Sequence, residues 1–209
     1  MKGFERRDGF AVAELDEEER LVVARIVADV ALLLGAESFG LDGGAEPEAA
    51  SDIDDPFAHL RGLEESIREP SDPAILRLLP NAAPTDRDVA AEFRRLTDGE
   101  LRSIKTRRLR RMWEQLSAGD DEWAVPADAA LETAAALTDV RLVLASRLGL
   151  ATDDDAERLH EEIDLASHAL ATDDDGMLPV DPERVWLGML YQALTWLQDT
   201  LVEFVSEQE

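Results

Sequence analysis

PADAALETAAALTDVRLVLASRL, residues 126–148, is the stretch on which the fold turns. Read at about 3.6 residues per turn, its apolar residues Leu131, Ala134, Ala135, Leu137, Val140, Leu142, Leu144, Ala145 and Leu148 occupy most of the helix circumference. A helix apolar on nearly all sides has to be covered on nearly all sides, which places it at the centre of a helical assembly. Gly149 is its stop, because the residue after a helix often takes a left-handed conformation that glycine adopts without strain. Asp139 and Arg141 interrupt the stretch. A charge inside a core is costly unless paired. Lys105 or Arg108 suits Asp139, and Glu92 suits Arg141.

Downstream, residues 156–170 read as a shorter helix and 181–206 as a long one. The long one directs Trp186, Leu190, Ala193, Leu197, Leu201 and Phe204 or Val205 at the core. Upstream lies RRLTDGELRSIKTRRLRR, residues 94–111. It carries +6 in a chain whose net charge is −26. Thr97 with Glu100 three residues on has the form of a capping box, so this stretch is expected to straddle a junction between a helix over 86–96 and a second helix reaching about Ser117. In the first, Val89, Ala90, Phe93 and Leu96 share a face. In the second, Leu101, Leu109, Met112 and Leu116 cluster on one side. Lys105 lies among them with Arg102 and Arg108 beside it, whereas Arg107, Arg110 and Arg111 point elsewhere. Glu92, Arg102, Lys105, Arg108, Asp139 and Arg141 are therefore the candidate buried ionic network. Arg107, Arg110 and Arg111 are the candidate partner surface.

Toward the amino terminus, Asp16 followed by Glu19 opens a helix that Gly35 closes. Before it, Asp8-Gly9 supplies the pair that a tight hairpin turn demands, between short flanks at 2–6 and 10–15. A lone hairpin is marginal, so it should lie on helices or pair with a further strand. Residues 36–55 carry seven acids, no base, three Gly and one Pro. They read as an acidic, mobile loop. Residues 56–66 and 73–79 read as short helices, and 120–125 as a turn beside which Trp123 fills a gap.

Composition excludes several functions. Cysteine is absent, which removes disulfides, thiolate metal sites and cysteine nucleophiles. A cytoplasmic setting fits that absence. The amino terminus has no apolar signal segment. The run 185–205 is interrupted by Gln192, Gln198, Asp199 and Glu203, so no membrane span is expected. With 47 acidic against 21 basic residues, the surface as a whole repels phosphate, and nucleic acid is not the expected partner. His160, Asp164 and His168 share a helix face, but the two histidines are separated by about 12 Å, too far for one ion. No phosphate loop, dinucleotide fingerprint or nucleophile elbow is present. No catalytic residue, cofactor or metal is expected.

The segments DPAILRLLPNA (72–82), AEFRRLT with Leu101, Arg102 and Lys105 after it (91–105), LTDVRLVLASRLG (137–149) and YQALTWLQDTLV (191–202) are specific as a set. In them the chain resembles an actinobacterial family of domains of unknown function, commonly encoded beside the ClpS adaptor of the Clp protease. The resemblance implies transcription-related or oxidative-stress regulation exerted through sigma factors. Redox sensing of that kind needs cysteine, so that part does not carry over.

The expected fold is mainly α: a single bundle-like domain over 1–209, built around the buried helix 126–148 and the carboxy-terminal helix 181–206, with a short amino-terminal β-hairpin. The expected function is non-enzymatic regulation through a protein partner, with a sigma factor or the neighbourhood of the Clp adaptor implied by the resemblance. A homodimer is a further expected assembly. Direct DNA binding is the second reading. An enzyme or small-ligand binder with a polar pocket near Asp139 and Arg141 is the third.

Overall fold

A computed structural model describes residues 1–36, 70–83, 85–118, 121–171 and 181–207. The acidic loop expected over 36–55 and the short helix over 56–66 fall, apart from Ala36, outside the described residues. Six described helices and a three-stranded sheet make the fold mainly α, with the hairpin at the amino terminus.

Strands β1 (Glu5–Arg7) and β2 (Phe10–Glu14) are antiparallel. Asp8 and Gly9 between them both have positive φ, 51° and 84°, the two left-handed residues of a tight Asp-Gly hairpin turn. The further strand is β3 (Glu122–Pro126), which pairs with β2 so that the order is β1-β2-β3. The reading of 120–125 as a turn is corrected here. Trp123 and Val125 are buried while Glu122 and Ala124 are exposed, the two-residue alternation of a half-buried strand. Trp123 is completely buried, meets the Phe4 ring edge-on at 5.0 Å, and donates its indole N–H to Gln115 Oε1 at 3.3 Å.

Helix α1 (Glu17–Leu33) opens on a full capping box. The Glu19 N–H donates to Asp16 Oδ1 at 2.8 Å, and the Asp16 N–H donates to Glu19 Oε2 at 3.0 Å. Short α2 (Pro73–Leu78) starts at Asp72, whose carboxylate takes both Arg147 Nη1 at 3.1 Å and Nη2 at 2.7 Å. Next come α3 (Arg87–Ala118), α4 (Ala130–Arg147) after one 3-10 turn, α5 (Asp153–Ala171) and α6 (Pro182–Ser206).

Helix α4 packs against α2, α3 and α6, and α1 lies along α3. Ala130, Ala134 and Ala136 are buried on α4, so its neighbours approach closely. Leu137, Val140 and Leu144 fill the space between them. The central position expected of 126–148 is thus realised, with Leu131 at the exposed start as the exception. A smaller cluster of Ala145, Leu148, Leu150, Leu159 and Ile163 seats α5 on α4 and α6. Gly188 permits that seat, because a Cβ there would come within 2.8 Å of Leu159 and 2.9 Å of Ile163. Among the described residues no helix is long and apolar enough to cross a membrane.

Candidate functional site

The basic stretch lies within one helix. α3 runs unbroken for 32 residues, and the junction expected at Thr97 does not exist. The Thr97 hydroxyl donates to the Phe93 carbonyl one turn back at 2.9 Å, the bond of a mid-helix threonine rather than of a cap. The Thr-x-x-Glu spacing is therefore coincidental here. Capping needs an extended residue at the cap, and the chain stays helical through it.

The inner face of α3 carries charge into the core. Arg94 and Asp98 are buried. Arg102 Nε donates to Asp98 Oδ2 at 3.1 Å, and its Nη1 donates to the Leu34 carbonyl at the end of α1 at 3.0 Å. Arg20 on α1 answers by donating to the Leu116 carbonyl near the end of α3 at 2.9 Å. Each antiparallel helix thus sends a guanidinium to the carbonyl end of the other, where the helix dipole is negative. One turn beyond Arg102, Lys105 Nζ lies 2.5 Å from Asp139 Oδ1. Asp139 is buried, and burial pushes its carboxyl up. The hydrogen bond from Lys105 opposes that push, helped by the Lys105 charge and by Arg108. The second oxygen, Oδ2, is buried without a partner.

Of the six residues expected to form a network, the structure brings Lys105 and Asp139 together and sends Glu92 and Arg141 to other partners. Glu92 does not reach Arg141. It stays at the surface and takes Arg95 Nε at 3.0 Å and Nη2 at 2.6 Å. Arg141 turns to the other side of α4, donates to Gln198 Oε1 on α6 at 2.6 Å and lies 5.4 Å from the Tyr191 ring centre. Residues two apart on a helix point about 200° apart, so Asp139 faces α3 and Arg141 faces α6. The two side chains thus serve different helix contacts.

The outer face of α3 is continuous. Val89, Phe93, Leu96, Glu100, Ser103, Arg107, Arg110 and Glu114 recur at alternate steps of four and three, and all are exposed. They form one stripe about 37 Å long. Its first third is apolar: Val89 is 54%, Phe93 42% and Leu96 63% exposed. Val89, Phe93 and Leu96 hold their shared face to solvent, whereas Ala90 beside them is buried. The later part is cationic, with Arg107 and Arg110 on the stripe and Arg111 beside it, bonded to Glu132 at 2.9 Å. The period of the apolar part alone fits a core-facing helix equally well. The sign that separates the two is the buried pair Arg94 and Asp98 on the opposite side.

A second surface feature is a groove of about 480 Å³ between α1, α4 and α6. Val22, Ile26, Leu33, Val143 and Trp186 supply apolar walls, with Arg25 and Arg147 at the lip. Trp186, expected on the core side, is instead 49% exposed. Neither Asp139 nor Arg141 lines this groove. On α5, His160 Nδ1 meets Gln192 Nε2 at 2.9 Å, and its Nε2 lies 3.6 Å from the Asp164 carboxylate. Among the described residues no group of three or more His, Asp or Glu side chains is placed to hold a metal ion.

A family model described as a domain of unknown function (DUF2017) matches residues 1–205. No curated protein and no solved structure matches the chain.

Proposed function

The chain belongs to this family of domains of unknown function, and from that premise we propose that it is a non-enzymatic regulatory protein that binds another protein through the outer face of α3. The stripe from Val89 to Glu114 carries this reading, because it joins an exposed apolar end to a cationic end on a single long helix. An amphipathic segment laid along it meets apolar anchors first and arginines after, the pattern of helix recognition. The matching partner segment pairs hydrophobic residues with a run of acids. Inner cations are occupied at home: Arg102 by Asp98 and Leu34, Lys105 by Asp139. Recognition uses the surface cations Arg107, Arg110 and Arg111, with Phe93 and Leu96. Within this reading the setting is an actinobacterial cytoplasm, and the partner is sought among sigma factors and proteins near the ClpS adaptor.

Affinity capture tests the proposal. The partner recovered by the wild-type chain should be lost with Arg107→Glu/Arg110→Glu/Arg111→Glu, and separately with Phe93→Asp/Leu96→Asp. All five side chains are at the surface, so both variants should keep the helical circular dichroism of the parent. Undiminished recovery by both well-folded variants sinks the reading.

A further inference from the structure

Among the described residues, helix α6 leaves an apolar seam exposed. Trp186, Met189, Ala193 and Trp196 recur at steps of three and four, which brings them to one side of the helix. Trp186 is 49%, Met189 52% and Trp196 45% exposed. Both rings are held in place. Trp186 forms a wall of the groove beside α1. Trp196 lies over the amino-terminal segment, where a Cβ on Gly3 would come within 3.0 Å of its ring. A half-exposed tryptophan offers about 100 Å². With Met189, Ala193 and the adjoining groove walls the patch reaches roughly 500 Å², near the upper limit of what a monomer leaves bare. An area of that size forms the apolar centre of a standard interface, which takes about 800 Å² from each partner.

The order of side chains selects the occupant. Met189, Ala193 and Trp196 run large, small, large, and so read alike from either end. A two-fold contact uses the same patch on both molecules and requires this reciprocity, whereas an unrelated partner does not. We propose that the chain forms a two-fold homodimer in which α6 packs antiparallel on α6 of a second copy, crossing at Ala193. Met189 of one protomer then meets Trp196 of its partner, twice over. The small side chain at the crossing lets the axes approach. Trp186 arrives opposite Asp199, an exposed carboxylate able to accept its indole N–H. This seam is separate from the α3 stripe, so the dimer and the proposed partner can be bound together.

Electrostatics gives the dimer a signature. Each protomer carries −26, so the two repel at long range and join through apolar surface. Salt screens the repulsion. Dimerisation should therefore tighten as salt is added, the reverse of an interface held by ion pairs.

Sedimentation velocity on the full chain, across a wide concentration range at low and high salt, should show a monomer–dimer equilibrium that shifts to dimer with salt. Met189→Glu, at an exposed position, should raise the dissociation constant by about a hundredfold, since the contact buries its charge. The chain has no cysteine, so Ala193→Cys introduces a single thiol at the crossing. It should give a covalent dimer on mild oxidation, whereas Val202→Cys, exposed on α6 outside the seam, should not. A monomer under every condition overturns the proposal. So does a dimer that Met189→Glu leaves intact, or a thiol at 202 that crosslinks as readily as one at 193.

Discussion

Two aspartates show how far position sets the behaviour of one side chain. Asp155 lies at the start of α5, where the N–H of Ala151, the hydroxyl of Thr152 and the N–H of Thr152 hold its carboxyl down at about 2. Its contribution to stability is present above the ordinary carboxylate range of about 3.9, and is lost as pH falls through the folded value. Asp139 is displaced the other way, because burial outweighs the hydrogen bond from Lys105. The native state keeps this proton to higher pH than the unfolded chain does. Its contribution is therefore full below pH about 3.9 and declines as pH rises through the folded value. Lys105→Met removes the opposing bond and leaves an unpaired buried carboxylate. It should cost about 3 kcal/mol at neutral pH in urea denaturation. The loss should shrink in mildly acid buffer, where Asp139 takes up a proton and becomes neutral. A loss of the same size at both pH values would mean that Lys105 acts through packing alone.

At the scale of elements, the continuity of α3 is the point on which the chain departs from its own local signals. Gly99 sits inside the helix, and a Cβ there meets nothing within 4 Å. Gly99→Ala should stabilise the protein by up to about 1 kcal/mol, as expected in a helix interior, read as a rise in the thermal midpoint. A helix beginning at Thr97 would put the same substitution in its first turn, with little effect. The sequence announced α1, α4, α6 and the hairpin because each carries two agreeing signals: Asp16 with Glu19, apolar period with Gly149, Asp181 before Pro182, Asp8 before Gly9. It misplaced β3, whose five residues are too few for alternation to stand out beside Asp120 and Asp121. It left the buried pair Arg94 and Asp98 of α3 unread for a different reason. Tertiary packing turns Arg94 and Asp98 inward and Phe93 and Leu96 outward, against the ordinary sorting of charge and apolarity. The Lys105–Asp139 pair was legible because a lone acid on an apolar helix requires a cation, and few are at hand. The Gln198 partner of Arg141 was not, since a neutral amide leaves no charge pattern to read.

For the molecule as a whole, net charge supports the proposed protein partner over nucleic acid. The net −26 opposes approach to any phosphate backbone, and the exposed arginines of α3 make a short row against it. Duplex DNA should not be retarded in a gel-shift titration at about 0.15 M salt. A shift that persists there would reassign the outer face of α3 to nucleic acid. The fold also joins the two ends of the described chain. The Phe4 N–H donates to Thr200 Oγ1 at 2.9 Å across 196 residues of sequence. Arg6 reaches the same helix, donating to the Phe204 carbonyl at 3.1 Å with its guanidinium 4.4 Å from the Phe204 ring centre. At about 5–20 residues per second, a ribosome finishes α6 roughly 10–40 s after β1. Through that interval Phe4, Ala11 and Ala13 lack their final cover, so β1 and β2, made before every described helix, close only after the last of them. A nascent chain stalled before α6 offers this surface to chaperones.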